Sequence, residues 1–163
     1  MNICFAKRTR KYPLKNRGLL LKVIKKIASL CDLPSLVPSS DTELAVILLD
    51  DRQITEINES YLQHQGPTDV ISFDYVDDFD ETCVSKEDPF TLGELYISLE
   101  TAERQAKEYK KSLNEELLLY IAHGMLHLCG YDDHSEEDIK KMRQAETRVL
   151  SSLYKDTGRI EVI

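Results

Sequence analysis

The chain has 163 residues, of which 42% are hydrophobic and 31% are charged, and its formal net charge at pH 7 is −8. These values are typical of a soluble globular protein, so we expect residues 1–163 to form a single domain. No run of about 18 apolar residues is present, which argues against a membrane span. The segment MNICFAKRTRKYP places its charge after a short apolar start, the reverse of a secretory signal. The four scattered cysteines are typical of reduced thiols in a cytoplasmic protein.

Positive charge is concentrated in the first part of the chain. Residues 1–31 contain nine Lys or Arg and no acidic residue, whereas the rest of the chain is strongly acidic. The overall acidity argues against a protein that coats nucleic acid non-specifically. A basic helix face is most simply a solvated surface, but this segment could still contact phosphate locally. The candidate phosphate contacts are Lys7, Arg8, Arg10 and Lys11.

The hydrophobic pattern mixes predicted strands and helices without strict alternation, which indicates an α+β fold. In chain order, the first half is predicted to contain a strand over 1–7, a helix over 13–30, a loop over 31–40, a buried strand over 43–50 and a helix over 51–61. The second half is predicted to contain a turn over 64–69, a second buried strand over 70–75, a surface loop over 76–90, a strand over 94–99, helices over 101–111 and 112–129, and a last helix from Ser135.

Three of the four histidines fall within HGMLHLCGYDDH, residues 123–134. His123 and His127 lie one helical turn apart on the same face, so both rings can reach one metal ion. Gly130 fits the end of this apolar helix, and His134 beyond it can fold back as a third ligand. Three protein ligands leave a coordination position open, as in catalytic zinc sites. Because burying three unpartnered imidazoles is costly, the pattern favours a metal site over ordinary core histidines.

The pattern differs from the zinc peptidase signature HExxH, in which a Glu next to the first His is the general base. Gly124 occupies that position here. The sequence therefore argues against a peptidase of that type.

The histidine block resembles the signature of the YbeY family of endoribonucleases, also called rRNA maturation factors, which is close to HGxLHLxGYDH. Two further blocks, PTDVISF (67–73) and LGELYIS (92–98), are similar to the family's PTDVLSF and LGDIxIS in the same order. The likeness spans residues 44–150. It implies a zincin-like α+β fold with a mixed, mostly buried sheet of about four strands and a central histidine-bearing helix.

The same resemblance implies one Zn²⁺ per chain, held by three histidines, and metal-dependent cleavage of single-stranded RNA. It also implies a role in 16S rRNA 3′-end maturation and ribosome quality control on the small ribosomal subunit, in the cytoplasm. We expect no membrane partner and no DNA partner. The four basic residues named above would then contact RNA. The nucleophile, a metal hydroxide or the RNA 2′-OH, stays undecided.

This chain departs from the family signature in the third ligand, because GYDDH has one residue more than the family's GYDH. We expect His123, His127 and His134 to bind the metal, with Asp133 as the alternative third ligand. We expect His123, His127 and Asp132 to be catalytic, with Asp132 as a base or as a partner of a ligand.

A second departure is Leu62, which stands where many family members have an Arg thought to contact RNA. His64 or the basic N-terminal segment could take its place, although a surface histidine without function is the simpler interpretation of His64. Asp69 and Ser72 could support the site, and Glu94 could contact substrate.

Two alternatives stay open. The chain could be a metal-dependent hydrolase of another substrate class, such as peptides or small esters. It could also be a non-catalytic ribosome-assembly factor whose metal only stabilises the fold.

Overall fold

A four-stranded mixed sheet organises the chain in a computed structural model that describes residues 1–37, 39, 41–85 and 87–163. The strands are β1 (Asn2–Lys7), β2 (Thr42–Leu49), β3 (Val70–Asp74) and β4 (Phe90–Ser98). Their order in the sheet is β1-β2-β4-β3. The pairs β1–β2 and β2–β4 are parallel, and β3 pairs with β4 in the antiparallel direction. The predicted α+β class is confirmed.

Five α-helices surround the sheet in the described part of the chain: α1 (Arg17–Leu30), α2 (Asp51–Ile57), α3 (Leu99–Glu108), α4 (Leu113–Leu128) and α5 (Glu136–Thr157). Each begins at a polar side chain that accepts a hydrogen bond from the first turn, which satisfies a backbone N–H that has no partner within the helix. These capping residues are Asn16, Asp50, Ser98, Ser112 and Ser135. The capping box predicted for Ser112 and Glu115 is present.

The boundaries differ from the prediction where tertiary contacts decide them. Helix α1 begins at Arg17 rather than Pro13, because Asn16 caps it and Lys15 donates its N–H to the carbonyl of Val162. Strand β4 begins at Phe90 rather than residue 94, because it pairs with β2 from Thr42 onward.

The predicted helix 51–61 is α2 followed by a π-helical turn, Asn58–Leu62. Short 3-10 turns occupy parts of the two predicted loops, whose residues Pro38, Ser40 and Lys86 lie outside the described part.

Two hydrophobic clusters fill the two faces of the sheet. The larger cluster lies between the sheet and helices α1, α4 and α5, and the smaller one lies under α2 on the opposite face. The sequence predicts a buried strand at β3, but only Ile71 of its five residues is buried. The reason is that β3 is an edge strand, with a neighbour on one side only. None of the described helices is long and apolar enough to cross a bilayer.

Candidate metal centre

Helix α4 presents two imidazole rings toward a common point. The Nε2 atoms of His123 and His127 lie 3.0 Å apart. The Nδ1 atom of His123 is 2.7 Å from the carboxylate of Glu146 on α5, and that of His127 is 3.0 Å from the backbone carbonyl of Tyr131. Hydrogen bonds at both Nδ1 atoms fix the ring orientation and leave both Nε2 lone pairs facing each other. Such lone pairs repel at this distance unless a proton or a cation lies between them.

A tight turn after α4 returns the chain to these rings. The N–H groups of Gly130 and Tyr131 donate to the carbonyls of His127 and Leu126 at 2.9 and 3.0 Å. Gly130 has φ +83°, a conformation that costs glycine little. The predicted end of the helix at Gly130 is therefore confirmed.

The turn brings Asp133 to the histidine pair. Its Oδ2 atom lies 3.8 Å from Nε2 of His123 and 3.7 Å from Nε2 of His127. A point about 2 Å from all three atoms satisfies these separations, and about 2 Å is the length of a zinc bond to nitrogen or carboxylate oxygen. His123, His127 and Asp133 could therefore bind one metal ion together.

His134, the expected third ligand, does not join the pair in this structure. Its side chain is 87% exposed, and its Nδ1 lies 3.8 Å from the other carboxylate oxygen of Asp133. The turn after α4 brings the tenth residue after His123 to the two rings. Because GYDDH has one extra residue, that tenth residue is Asp133 and His134 lies one position beyond it. The alternative ligand considered from the sequence is thus the one that the structure places there.

The two imidazoles differ in basicity. Burial opposes protonation of His123, but the hydrogen bond to Glu146, together with the nearby Asp69 and Asp133, outweighs it and raises the pKa of His123. Burial, followed by the charge of His123, lowers the pKa of His127. The carboxylates that favour a proton on His123 also favour a divalent cation between the rings.

An open cleft of about 720 Å³ exposes this group to solvent. One wall is the edge strand β3, and another is the segment containing Leu62 and His64. Strand β3 approaches α4 closely at Gly124, where an added Cβ would lie 2.9 Å from Leu95 and 3.1 Å from Ser72 Oγ. The position that carries Glu in the peptidase signature thus faces the sheet here, where any side chain would have to displace the side chain of Leu95.

The remaining predicted residues divide between the cleft and other surfaces. Asp69 and Ser72 line the cleft, and Asp69 accepts hydrogen bonds from Thr68 and from the N–H of Val70.

Asp132 is half exposed and lies 3.6 Å from His134 instead of at the histidine pair. Glu94 is outside the cleft lining and accepts hydrogen bonds from Tyr75 and Tyr96.

The four basic residues expected to contact RNA lie at or just after β1, which is the edge of the sheet opposite to β3. Lys7 donates to the backbone carbonyl of Thr9, and Lys11 is already paired with Glu100 and Glu103. Arg8 and Arg10 are exposed, but neither they nor the two lysines line the cleft. The structure therefore does not bring this set to the metal centre.

Glu146 was not identified from the sequence. It is one of several acidic residues on the amphipathic helix α5, and no motif distinguishes it from its neighbours. Only the packing of α5 against α4 selects it, because that packing places its carboxylate 2.7 Å from His123.

The fold and this group define an α+β protein in which two histidines and one aspartate line an open cleft and could bind a metal ion together. The family model described as Endoribonuclease YbeY matches residues 5–154, and the chain belongs to the YbeY family. Endoribonuclease YbeY from Aquifex aeolicus is 40% identical over 143 residues, covering 87% of this chain and 89% of its own.

Endoribonuclease YbeY from Heliobacterium modesticaldum is 43% identical over 117 residues, covering 69% of this chain and 70% of its own. The solution structure of TM1509 from Thermotoga maritima is also similar, with a TM-score of 0.56 and 25% identity, over 95% of this chain and 93% of that chain.

Proposed function

We propose that this chain is a zinc-dependent endoribonuclease that cleaves single-stranded RNA. One observation carries the proposal: Nε2 of His123, Nε2 of His127 and a carboxylate oxygen of Asp133 lie close enough to hold one ion, and all three residues line an open cleft. Membership in the YbeY family supplies the substrate class. Mixed nitrogen and oxygen donors suit zinc, and an open cleft beside three ligands is typical of catalytic sites.

The chain's own residues hold and orient this site. His123, His127 and Asp133 would bind the ion, while Glu146 and the Tyr131 carbonyl keep the two rings aimed at it. When bound, the ion supplies a Lewis acid for a phosphoryl oxygen and a means of ionising water near neutral pH. Asp69, held by hydrogen bonds from Thr68 and the N–H of Val70, forms the adjacent cleft wall.

The finer biological role is part of the same proposal. We infer from the family resemblance that the RNA is 16S rRNA near its 3′ end, on the small ribosomal subunit, in the cytoplasm, and that the chain contributes to ribosome quality control. The zincin-like class is likewise proposed. It is supported by a helix that carries two metal-facing histidines next to an edge strand.

A substrate panel tests the activity. Purified protein is incubated with end-labelled single-stranded RNA, the matching duplex and a peptide library, with zinc present or chelated. We expect cleavage of the single-stranded RNA only, lost on chelation and restored by zinc, and absent in a folded His127→Ala variant. Cleavage of peptides but not RNA, or RNA cleavage by folded His127→Ala equal to the parent, would overturn the proposal.

Sequencing of 16S rRNA 3′ ends tests the cellular role. Cells that lack the protein should accumulate unprocessed ends, which the parent gene corrects and the His127→Ala gene does not. Correction by both genes would indicate a non-catalytic assembly factor instead.

A further inference from the structure

The cleft is poor in positive charge for a site that would hold RNA. Among the described residues that line it there is no Lys or Arg, whereas Asp69, Asp74 and Asp133 all contribute carboxylates. Attraction to phosphates is the usual source of affinity for RNA, and it is weak or unfavourable along these walls. Apart from the phosphate that a bound ion would hold, binding in this cleft therefore needs contacts other than ion pairs, and the bases can supply them.

An exposed aromatic residue directly precedes a residue of the cleft wall. In the described part of the chain three large hydrophobic side chains are exposed, namely Tyr61 (71%), Tyr109 (59%) and Leu62 (42%). Two of the three are consecutive on the π-helical turn, and Leu62 itself lines the cleft. Tyr61 packs edge-to-face on Phe73 of β3 with ring centroids 5.6 Å apart, and Phe73 packs in the same way on Tyr96 at 5.8 Å.

The turn that carries Tyr61 is fixed by hydrogen bonds. Asn58 is 4% exposed, and its side-chain amide donates to the carbonyl of Gly66 at 2.9 Å. The N–H of His64 donates to the carbonyl of Asn58, and Gln63 has a left-handed φ of +57°. The backbone of this turn is therefore ordered before a ligand arrives, and the contact with Phe73 restricts the Tyr61 ring. Both effects lower the entropic cost of binding.

We propose that Tyr61 stacks on a base of single-stranded RNA and that Leu62 packs against the same nucleotide at the rim of the cleft. This inference rests on the proposed function. Every base has an aromatic face, so stacking on Tyr61 would hold RNA with little preference for sequence. It would also select unpaired nucleotides, because bases in a duplex are stacked on one another.

A tryptophan reporter tests the contact directly. The chain contains no Trp, so Tyr61→Trp introduces a single indole one residue before Leu62 of the cleft wall. The zinc-loaded variant is titrated with a 2′-O-methyl oligonucleotide, which resists cleavage through the 2′-OH. We expect saturable quenching of the indole, because a stacked base quenches its fluorescence.

Tyr109→Trp is the matched control. Tyr109 is similarly exposed and has the ammonium of Lys111 5.8 Å from its ring centroid, so non-specific RNA binding should favour it. Quenching at position 61 without quenching at position 109 supports the proposal. Equal quenching at both positions, or quenching at 109 alone, overturns it.

Affinity provides a second measurement. Tyr61→Ala should raise the Kd for the oligonucleotide about tenfold, within the range for loss of one stacked base, whereas Tyr61→Phe and Tyr109→Ala should stay within about twofold of the parent. An oligonucleotide that lacks its bases should bind the parent and Tyr61→Ala equally.

If Tyr61→Ala binds and cleaves RNA as the parent does, the stacking contact is absent while the endoribonuclease proposal stands. If the parent neither binds nor cleaves RNA, the proposed function itself fails.

Discussion

Glu146 on α5 holds His123 on α4 through a hydrogen bond of 2.7 Å between its carboxylate and Nδ1. The bond joins two helices that are separated by the turn containing Asp133. It directs the Nε2 of His123 toward the Nε2 of His127, 3.0 Å away. A carboxylate in this position also strengthens an imidazole as a metal ligand, since it withdraws the Nδ1 proton.

We predict that Glu146→Gln lowers zinc affinity about tenfold or more, within the range for loss of such partners, with little loss of helix content. Gln can still accept the hydrogen bond but lacks the negative charge. The measurement is a competition titration with a chromophoric chelator. Glu137→Gln, at an exposed position of the same helix, is the control and should retain parental affinity. Equal affinities for Glu146→Gln and the parent would contradict the role given to this carboxylate.

The identity of the third ligand has its own test. Asp133→Ala should lower zinc affinity more than about 100-fold, a larger loss than for a partner of a ligand, because a direct donor is removed. His134→Ala should change it less than about threefold, since this side chain is 87% exposed. The absorption spectrum of the cobalt-substituted protein reports the same change independently of activity. A large effect of His134→Ala with none for Asp133→Ala would restore the three-histidine set that the family resemblance implies.

Gly124 faces strands β3 and β4 with little free space around it. A Cβ at this position would lie 2.9 Å from Leu95 Cδ2 and 3.2 Å from Val70 Cγ2, and Leu95 is fully buried. The higher helix propensity of Ala would raise the free energy of unfolding by about 1 kcal/mol, whereas overpacking of the core would lower it by about 1–3 kcal/mol. We expect a net loss in the free energy of unfolding of about 1 kcal/mol, measured by urea denaturation.

Gly18→Ala is the matched control, because it also lies in a helix and its Cβ would only approach Asn16 Oδ1 at 3.6 Å. It should be neutral or slightly stabilising. A Gly124→Ala variant that is more stable than the parent would show that the side chains around Gly124 move aside without cost.

Asp51 should make stability depend on pH at the acidic end. Its carboxylate accepts hydrogen bonds from Ser98 at 2.6 Å and Thr101 at 2.8 Å, and it pairs with Arg104. Burial opposes its ionisation, but these partners outweigh burial and lower the pKa of Asp51. Because the folded pKa lies below the unfolded one, the carboxylate stabilises the fold above the unfolded pKa. That contribution is lost as the pH falls through the folded pKa.

We therefore expect Asp51→Asn to lower the free energy of unfolding by about 1 kcal/mol at pH 7, and the difference from the parent to shrink below about pH 4. Urea denaturation at several pH values measures it. Asp77→Asn, at an exposed position, should show no such dependence. A difference that grows on acidification would mean that the sign of the pKa shift is wrong.

Local patterns in the sequence determined much of the fold. Alternating and periodic apolar residues predicted the four strands and five helices, and the Ser112–Glu115 capping box predicted where α4 starts. The spacing of His123 and His127 alone placed two rings on one helical face, since helix geometry is the same in every protein. These features depend on residues close together in the chain, so the sequence was sufficient for them.

Tertiary structure decided what depends on distant residues. The turn after Gly130 selected Asp133 over His134, because the path of the backbone, and not the residue type, determines which side chain reaches the rings. The packing of α5 on α4 selected Glu146 among many similar acids. The position of β3 at the sheet edge opened the cleft and separated it from the basic segment at β1. Strand order and helix packing are set by the whole core at once, so no local pattern encodes them.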